Sequence, residues 1–380
     1  MGLSRGQEPG IVPSPALAQA PQRHKMSGFV RHILPGIHRQ IVSQMFSLIA
    51  PLRRAATLVA LLLALLPLPA MALSVMDPFN LPAAMDGGTT KVGDGIAYAD
   101  GPRHKLDVYA PEQRGASAPV VFFIYGGGWN RGERSDYQFV GRALASRGFV
   151  VVIADYRLVP EVTYPGFLED SANALKWVQD NIASYGGDPS RLFLAGHSAG
   201  AYNATMLALD PSFLREYGVT MPILAVAALS GPYDFYPFEY GEVQNAFGSA
   251  PNPQGTQPIN LVTAATPPMY LATGTTDPIV RMQNTQRFAQ KLKDSGVWVT
   301  TRYYEGFGHM EPVIAMGALW RWRAPVLDDM VSFFQMFGAF PSGVPYVAVA
   351  PDPPEQLPEA IAPMDQIVEQ LNAMFQPIEN

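Results

Sequence analysis

The sequence has no cysteine. A disulfide, a thiolate metal site and a cysteine nucleophile are therefore excluded, an absence compatible with any redox compartment. Histidine is scarce as well, with 6 in 380 residues. Chemistry that needs an imidazole has few positions to draw on. Metal-ligand spacings and the glycine fingerprint of a nucleotide site are missing, so neither a metal nor a cofactor is expected. No internal repeat is present. Basic residues thin out along the chain. Residues 1–72 hold seven Lys/Arg and one acid, Glu8, whereas the remainder holds 19 basic and 31 acidic residues, a net charge of −12. An acidic body without a basic cluster argues against nucleic acid as a partner.

Long apolar runs are also lacking, with one exception. Arg53-Arg54 is followed by an apolar stretch from Ala55 to Leu66, then Pro67, Pro69 and Ala70-Met71-Ala72. A basic start, a short apolar middle and an A-x-A site read as an export signal, spanning 45–72. Export to the periplasm or medium is the expectation, with a mature chain from about Leu73. The alternative is a membrane anchor formed by residues 55–75. Residues 1–44, rich in Pro, Gly, Gln and Arg, read as a disordered or mis-started extension. Residues 341–380 read as a Pro- and acid-rich tail with one short amphipathic helix, Ile361 to Phe375.

Between these ends, apolar runs alternate with amphipathic segments. Strands are predicted within 92–110 (including Lys105 to Tyr109) and at Val120–Ile124, Phe149–Ala154, Arg191–Ala195, Ile223–Leu229, Pro268–Ala272 and Val297–Tyr304. Helices are predicted at Tyr137–Arg147, Phe167–Tyr185, Ala199–Leu209, Met282–Lys293 and Val326–Phe337. This alternation implies an α/β fold, a mostly parallel sheet covered on both faces. Residues 73–340 are long enough to bury one large core. The Tyr-, Phe-, Pro- and Gly-rich stretch Gly231 to Thr266 breaks the alternation and reads as an insertion over the active edge.

Gly196-His197-Ser198-Ala199-Gly200 lies between a predicted strand and a small-residue helix. A serine at the middle of G-x-S-x-G on a sharp strand-to-helix turn is a nucleophile candidate. Side chains at Gly196 and Gly200 would collide with the neighbouring strand and helix. A serine hydroxyl needs a base, and the base needs an orienting carboxylate. His24, His32 and His38 precede the mature body, His104 sits in a hairpin turn, and His197 is turned away within the elbow itself. His309 is left, on a glycine-flanked loop after a strand. Strand ends of a parallel sheet share one edge, which puts His309 on the side of Ser198. Asp277, just after the strand Pro268–Ala272, is the preferred acid. Its rival is Asp234, one strand earlier, and Asp277 also suits an Asx turn before Pro278. The Gly run in Tyr125-Gly126-Gly127-Gly128-Trp129 lets backbone N–H groups approach a substrate oxyanion closely, and the Ala199 N–H is a second donor.

The set Tyr125 to Trp129, Asp155-Tyr156-Arg157-Leu158, Gly187 to Arg191, Gly196 to Gly200, Ser230-Gly231, Asp277 and Gly308-His309 resembles the α/β-hydrolase family. Within it, the resemblance is to the esterase branch with hormone-sensitive-lipase-like and isoprenylcysteine-methylesterase-like enzymes. The resemblance implies an α/β-hydrolase fold, a triad of Ser198, Asp277 and His309, and an oxyanion hole from Gly127, Gly128 and Ala199. Tyr125 stands where the family has a loop-ordering histidine, and its hydroxyl is expected to anchor that loop instead. Asp155 and Arg157 read as structural groups beneath the active face.

The expected reaction is two-step hydrolysis of a small-molecule ester. The same triad serves amides, peptides and formamides, so an exported serine peptidase or arylformamidase is the alternative. A catalytically dead binding protein on the same fold is a further one. Dense aromatics in the insertion (Tyr233, Phe235, Tyr236, Phe238, Tyr240 and Phe247), with Trp129, Trp320 and Trp322 on other segments, suggest an aromatic pocket for small to medium acyl or aryl groups. Trp129, Tyr233 and Phe235 are its candidate lining residues. Ordinary packing between insertion and sheet is the competing reading of the same rings.

Overall fold

The computed structural model describes residues 76–113, 117–238 and 241–339, with residue 369. The chain divides into two units, residues 1–72 and 73–380, and everything described here lies in the second. The export signal and the alternative anchor fall outside the described residues, and so does the tail helix apart from residue 369. Among those described, no helix is long and apolar enough to cross a membrane.

Eight strands form one sheet. They are β1 (Thr89–Ala97), β2 (Lys105–Pro111), β3 (Ala118–Ile124), β4 (Val150–Ala154), β5 (Gly187–His197), β6 (Ile223–Leu229), β7 (Met269–Gly274) and β8 (Val299–Tyr304). Their spatial order is β1-β2-β4-β3-β5-β6-β7-β8. β1 and β2 form an antiparallel hairpin, and β2 joins β4 antiparallel. Every other pairing is parallel.

The patterning explains these positions. Val120 to Ile124 and Val150 to Ala154 are continuous apolar runs, and every residue in them is buried. Such runs belong in the middle of a sheet covered on both faces. β8 reads Val-Thr-Thr-Arg-Tyr-Tyr, keeps most of its residues partly or fully exposed, and is an edge. Phe149, Phe193 and Phe334 pack together, with Phe149 edge-on to the other two rings and Phe193 and Phe334 at 4.6 Å.

The helices sit where the periodicity put them, with shifted ends. Gly166–Asn181 is α-helical, and its expected last turn is instead a 3-10 turn, Ile182–Tyr185. Gly186 closes that turn at φ +87°, a conformation only glycine adopts without strain. β5 runs from Gly187 to His197, beyond the expected strand Arg191–Ala195 at both ends and further at its start, because β3 and β6 both pair along it. Short helices at Asp77–Asn80, Ser212–Glu216 and Glu311–Ile314 carry too few residues to show a period and were not foreseen. The expected insertion contains a helix, Gly241–Phe247, and two 3-10 turns.

Candidate active site

Ser198 sits between the end of β5 and the helix Ala199–Leu209, with φ +54° and ψ −123°. The bend is forced by close packing. A Cβ on Gly196 would lie 2.3 Å from the Gly200 carbonyl oxygen, and one on Gly200 would lie 2.0 Å from that of Ile124. Only glycine fits at either place, as the motif required. Among the described residues the non-glycine residues with positive φ are Trp129, Ser198 and Ser230. They follow the C-terminal ends of β3, β5 and β6. Backbone strain of this kind, of order 1–3 kcal/mol per residue, gathers at functional sites.

The three side chains expected to meet do so. Ser198 Oγ lies 2.8 Å from His309 Nε2, and His309 Nδ1 lies 2.8 Å from Asp277 Oδ2. A carboxylate only accepts, so Nδ1 carries the proton and Nε2 is left to accept from the serine hydroxyl. Each of the three is at least nine-tenths buried, with His309 at 0 % exposure. The Asx-turn alternative for Asp277 is not a competitor. Oδ1 accepts the N–H groups of Ile279 and Val280, both at 2.9 Å, while Oδ2 faces the histidine. One carboxylate closes the turn and orients the imidazole. Asp234, the rival, is elsewhere: it pairs with Arg287 at 3.0 Å.

The Gly-rich loop follows β3. Gly127 and Gly128 have φ of +135° and +57°. Among the described residues, no hydrogen bond engages the N–H of Gly127, Gly128 or Ala199. The Ser198 N–H is different, since it donates to Leu229 O at 2.8 Å. Ala199 opens a helix, where N–H groups have no partner within the helix and the dipole favours an anion. Tyr125 is anchored as expected. Its hydroxyl accepts from Arg103 at 2.7 Å, and its ring stacks on Tyr156 at 4.7 Å. Beneath, Asp155 accepts the Arg134 N–H at 2.7 Å, and Arg157 forks onto Asp170.

The aromatic candidates separate into two places. Trp129 and Phe235 are buried, with ring centroids 6.3 Å apart, around Phe247 of the insertion helix and Tyr202. The Trp129 indole N–H donates to Asn203 Oδ1 at 3.1 Å. Tyr233 does not join them. Its ring stacks on Phe288 at 4.4 Å, under the helix Met282–Asp294. These contacts are packing of insertion against body, which is the plainer of the two readings of these rings.

Two features had no local signal in the sequence. Glu242 of the insertion helix pairs with Arg131 of the Gly-rich loop, tying the insertion to that loop. Burial raises the Glu242 carboxyl above its usual range, although Arg131 opposes this. His197 is buried and bonded on both ring nitrogens, to Tyr137 and to the His309 backbone. His104 faces Asp170 at 3.2 Å. No cluster of three or more potential metal ligands occurs among the described residues.

The BD-FAE family model matches residues 106–292. A probable isoprenylcysteine alpha-carbonyl methylesterase of Oryza sativa subsp. japonica is 29% identical over 258 residues, 62% of each chain. Esterase LipQ of Mycobacterium tuberculosis is 30% identical over 233 residues, 55% of this chain and 54% of that one. The chain thus spans less than two thirds of the length of these curated relatives. Among solved structures, esterase B from Lactobacillus rhamnosis shares the fold, with a TM-score of 0.59 at 22% identity over 69% of this chain and 93% of that one. Sheet order, elbow and solved neighbours give the chain the α/β-hydrolase fold, and the relatives its sequence resembles are esterases.

Proposed function

We propose that this protein hydrolyses carboxylic esters by way of an acyl-enzyme on Ser198. The observation that carries the reading is the unbroken run Ser198–His309–Asp277, with both contacts at 2.8 Å. His309 Nε2 takes the serine proton as Oγ attacks the ester carbonyl. Asp277 holds the imidazole in the reactive tautomer and stabilises it once charged. Gly127, Gly128 and Ala199 offer N–H groups to the oxyanion, in a dry site where such donors act most strongly. His309 then gives its proton to the departing alcohol, and a water, activated by the same nitrogen, releases the acid.

Esterase names among the relatives favour esters over amides, although the peptidase and arylformamidase readings use the same groups. The methylester-cleaving relatives add a small alcohol portion to the candidates. Small to medium acyl or aryl esters fit the modest insertion. Replacing Ser198 with Ala should lower p-nitrophenyl ester turnover by about 10⁴-fold or more. A variant with near-wild-type rates would sink the assignment. A side-by-side panel of short acyl esters, formyl amides and peptide anilides separates the three chemistries. A chain-length profile peaking at long-chain triglycerides would rule out the preference for small to medium esters. We also infer export, from the sequence at 45–72. The mature N-terminus should then be Leu73 or close to it, and a purified periplasmic protein beginning well upstream would count against this.

A further inference from the structure

We propose that His197 and Tyr137 form a buried link that holds the Gly-rich loop and the His309 loop in register with the elbow serine. The inference rests on the ester-hydrolase reading above.

The bonds run in one direction. The His309 carbonyl oxygen can only accept, so the His197 nitrogen 3.1 Å from it, Nε2, must carry the proton. In a neutral ring Nδ1 then accepts, and its neighbour at 3.3 Å is the Tyr137 hydroxyl, which must donate. That hydroxyl oxygen in turn accepts the Gly126 N–H at 3.3 Å. One path of three bonds therefore leads from the first glycine of the Gly-rich loop to the backbone of the histidine that meets Ser198.

Protonation states agree with these directions. Burial, and next the nearby His309, push the His197 imidazole down to about 3. It is neutral at working pH, with one donor and one acceptor. Burial holds the Tyr137 phenol well above its usual value, so the hydroxyl keeps its proton.

Packing leaves the link no slack. A Cβ on Gly126 would stand 3.0 Å from both His197 Nδ1 and Ser198 Cβ. The Tyr137 ring lies against Tyr125 and Phe123, at 6.0 and 5.7 Å. The His197 and His309 rings are 5.1 Å apart. Donors and bases must be held to within about 0.5 Å for full effect. The His309 loop and the Gly-rich loop hang on different strands, β8 and β3, which are not neighbours in the sheet. A planar ring with a donor on one edge and an acceptor on the other spans them, from the residue next to the nucleophile. His197 and Tyr137 are positioning residues: neither needs to touch the substrate.

The test uses the full chain and three variants, His197→Phe, His197→Gln and Tyr137→Phe. Each is assayed with p-nitrophenyl butyrate and with a fluorophosphonate probe, at matched folded fraction. His197→Phe loses both bonds, and kcat and probe labelling should fall about 10- to 100-fold with KM within about threefold. Tyr137→Phe should show a smaller fall of the same kind. His197→Gln, whose amide N–H can reach the His309 carbonyl, should recover most of the loss. A role limited to stability would lower the folded fraction and leave per-molecule kcat alone. Per-molecule rates within about twofold of wild type in His197→Phe and Tyr137→Phe would overturn the link. If His197→Phe does not fold, Tyr137→Phe decides: a selective fall in kcat supports the link, and an unchanged kcat overturns it. Wild type inert to both ester and probe would instead sink the hydrolase reading.

Discussion

His197 shows how one side chain couples environment to stability. Its ordinary value of 6.5 is lowered to about 3 by burial and by His309. Below pH 6.5 the unfolded chain binds a proton that the native chain refuses until about pH 3. The unfolded state then holds more protons, so stability rises with pH across that window. The contribution is fully present above pH 6.5 and drains by ~1.4 kcal/mol per pH unit below it. Between pH 7 and 5 the wild type should lose about 2 kcal/mol more than His197→Gln in urea unfolding, on this linkage. Equal losses would mean that His197 titrates like a free imidazole.

The elbow and the insertion act as elements, and each makes a prediction. At Gly200 the obstacle to a side chain is the Ile124 carbonyl, part of the central strand, and it cannot rotate away. Gly200→Ala should therefore cost at least ~2 kcal/mol. It should also remove nearly all esterase turnover, because the helix carrying Ala199 must move off the strand. A variant that is folded, stable and active would contradict the packing described. The insertion helix is anchored through Phe247, whose ring meets Trp129 at 4.8 Å and Tyr202 at 5.3 Å. Truncation to Ala removes a buried ring and should cost about 3–5 kcal/mol. Chemical denaturation would check this. A loss under about 1 kcal/mol would mean the insertion is only loosely seated, since surface changes cost little.

At the scale of the whole molecule, charge has consequences for substrates. The chain from residue 73 onward carries a net −12. A field of that sign slows anionic ligands and is screened by salt. For a matched pair of anionic and neutral esters, kcat/KM of the anionic one should rise about twofold or more between 0.02 and 0.5 M salt, with the neutral one nearly flat. A flat response for both would show that the site is shielded from the net charge.

Most of the fold and the triad were legible because they rest on local rules. Short continuous apolar runs rich in β-branched and aromatic residues, such as Val120 to Ile124, favour buried strands, and their alternation with amphipathic helices admits few sheets. Gly196 and Gly200 announce a turn by sterics alone. With six histidines and a parallel sheet that gathers loops on one edge, elimination leads to His309. Packing distant in sequence was not legible. Nothing near Tyr137 or His197 indicates that they would meet, because their 60-residue separation is closed only by the sheet. Tyr233 and Phe235, two positions apart, look alike in the sequence as pocket residues, yet one packs under the helix Met282–Asp294 and the other against Trp129. Asp277 or Asp234 was a choice between two turns at the same edge, and only the position of His309 in space decided it. Residue type and spacing determined which groups this chain has for its chemistry. Tertiary structure decided which of them touch, because contact between distant strands depends on how the whole sheet closes.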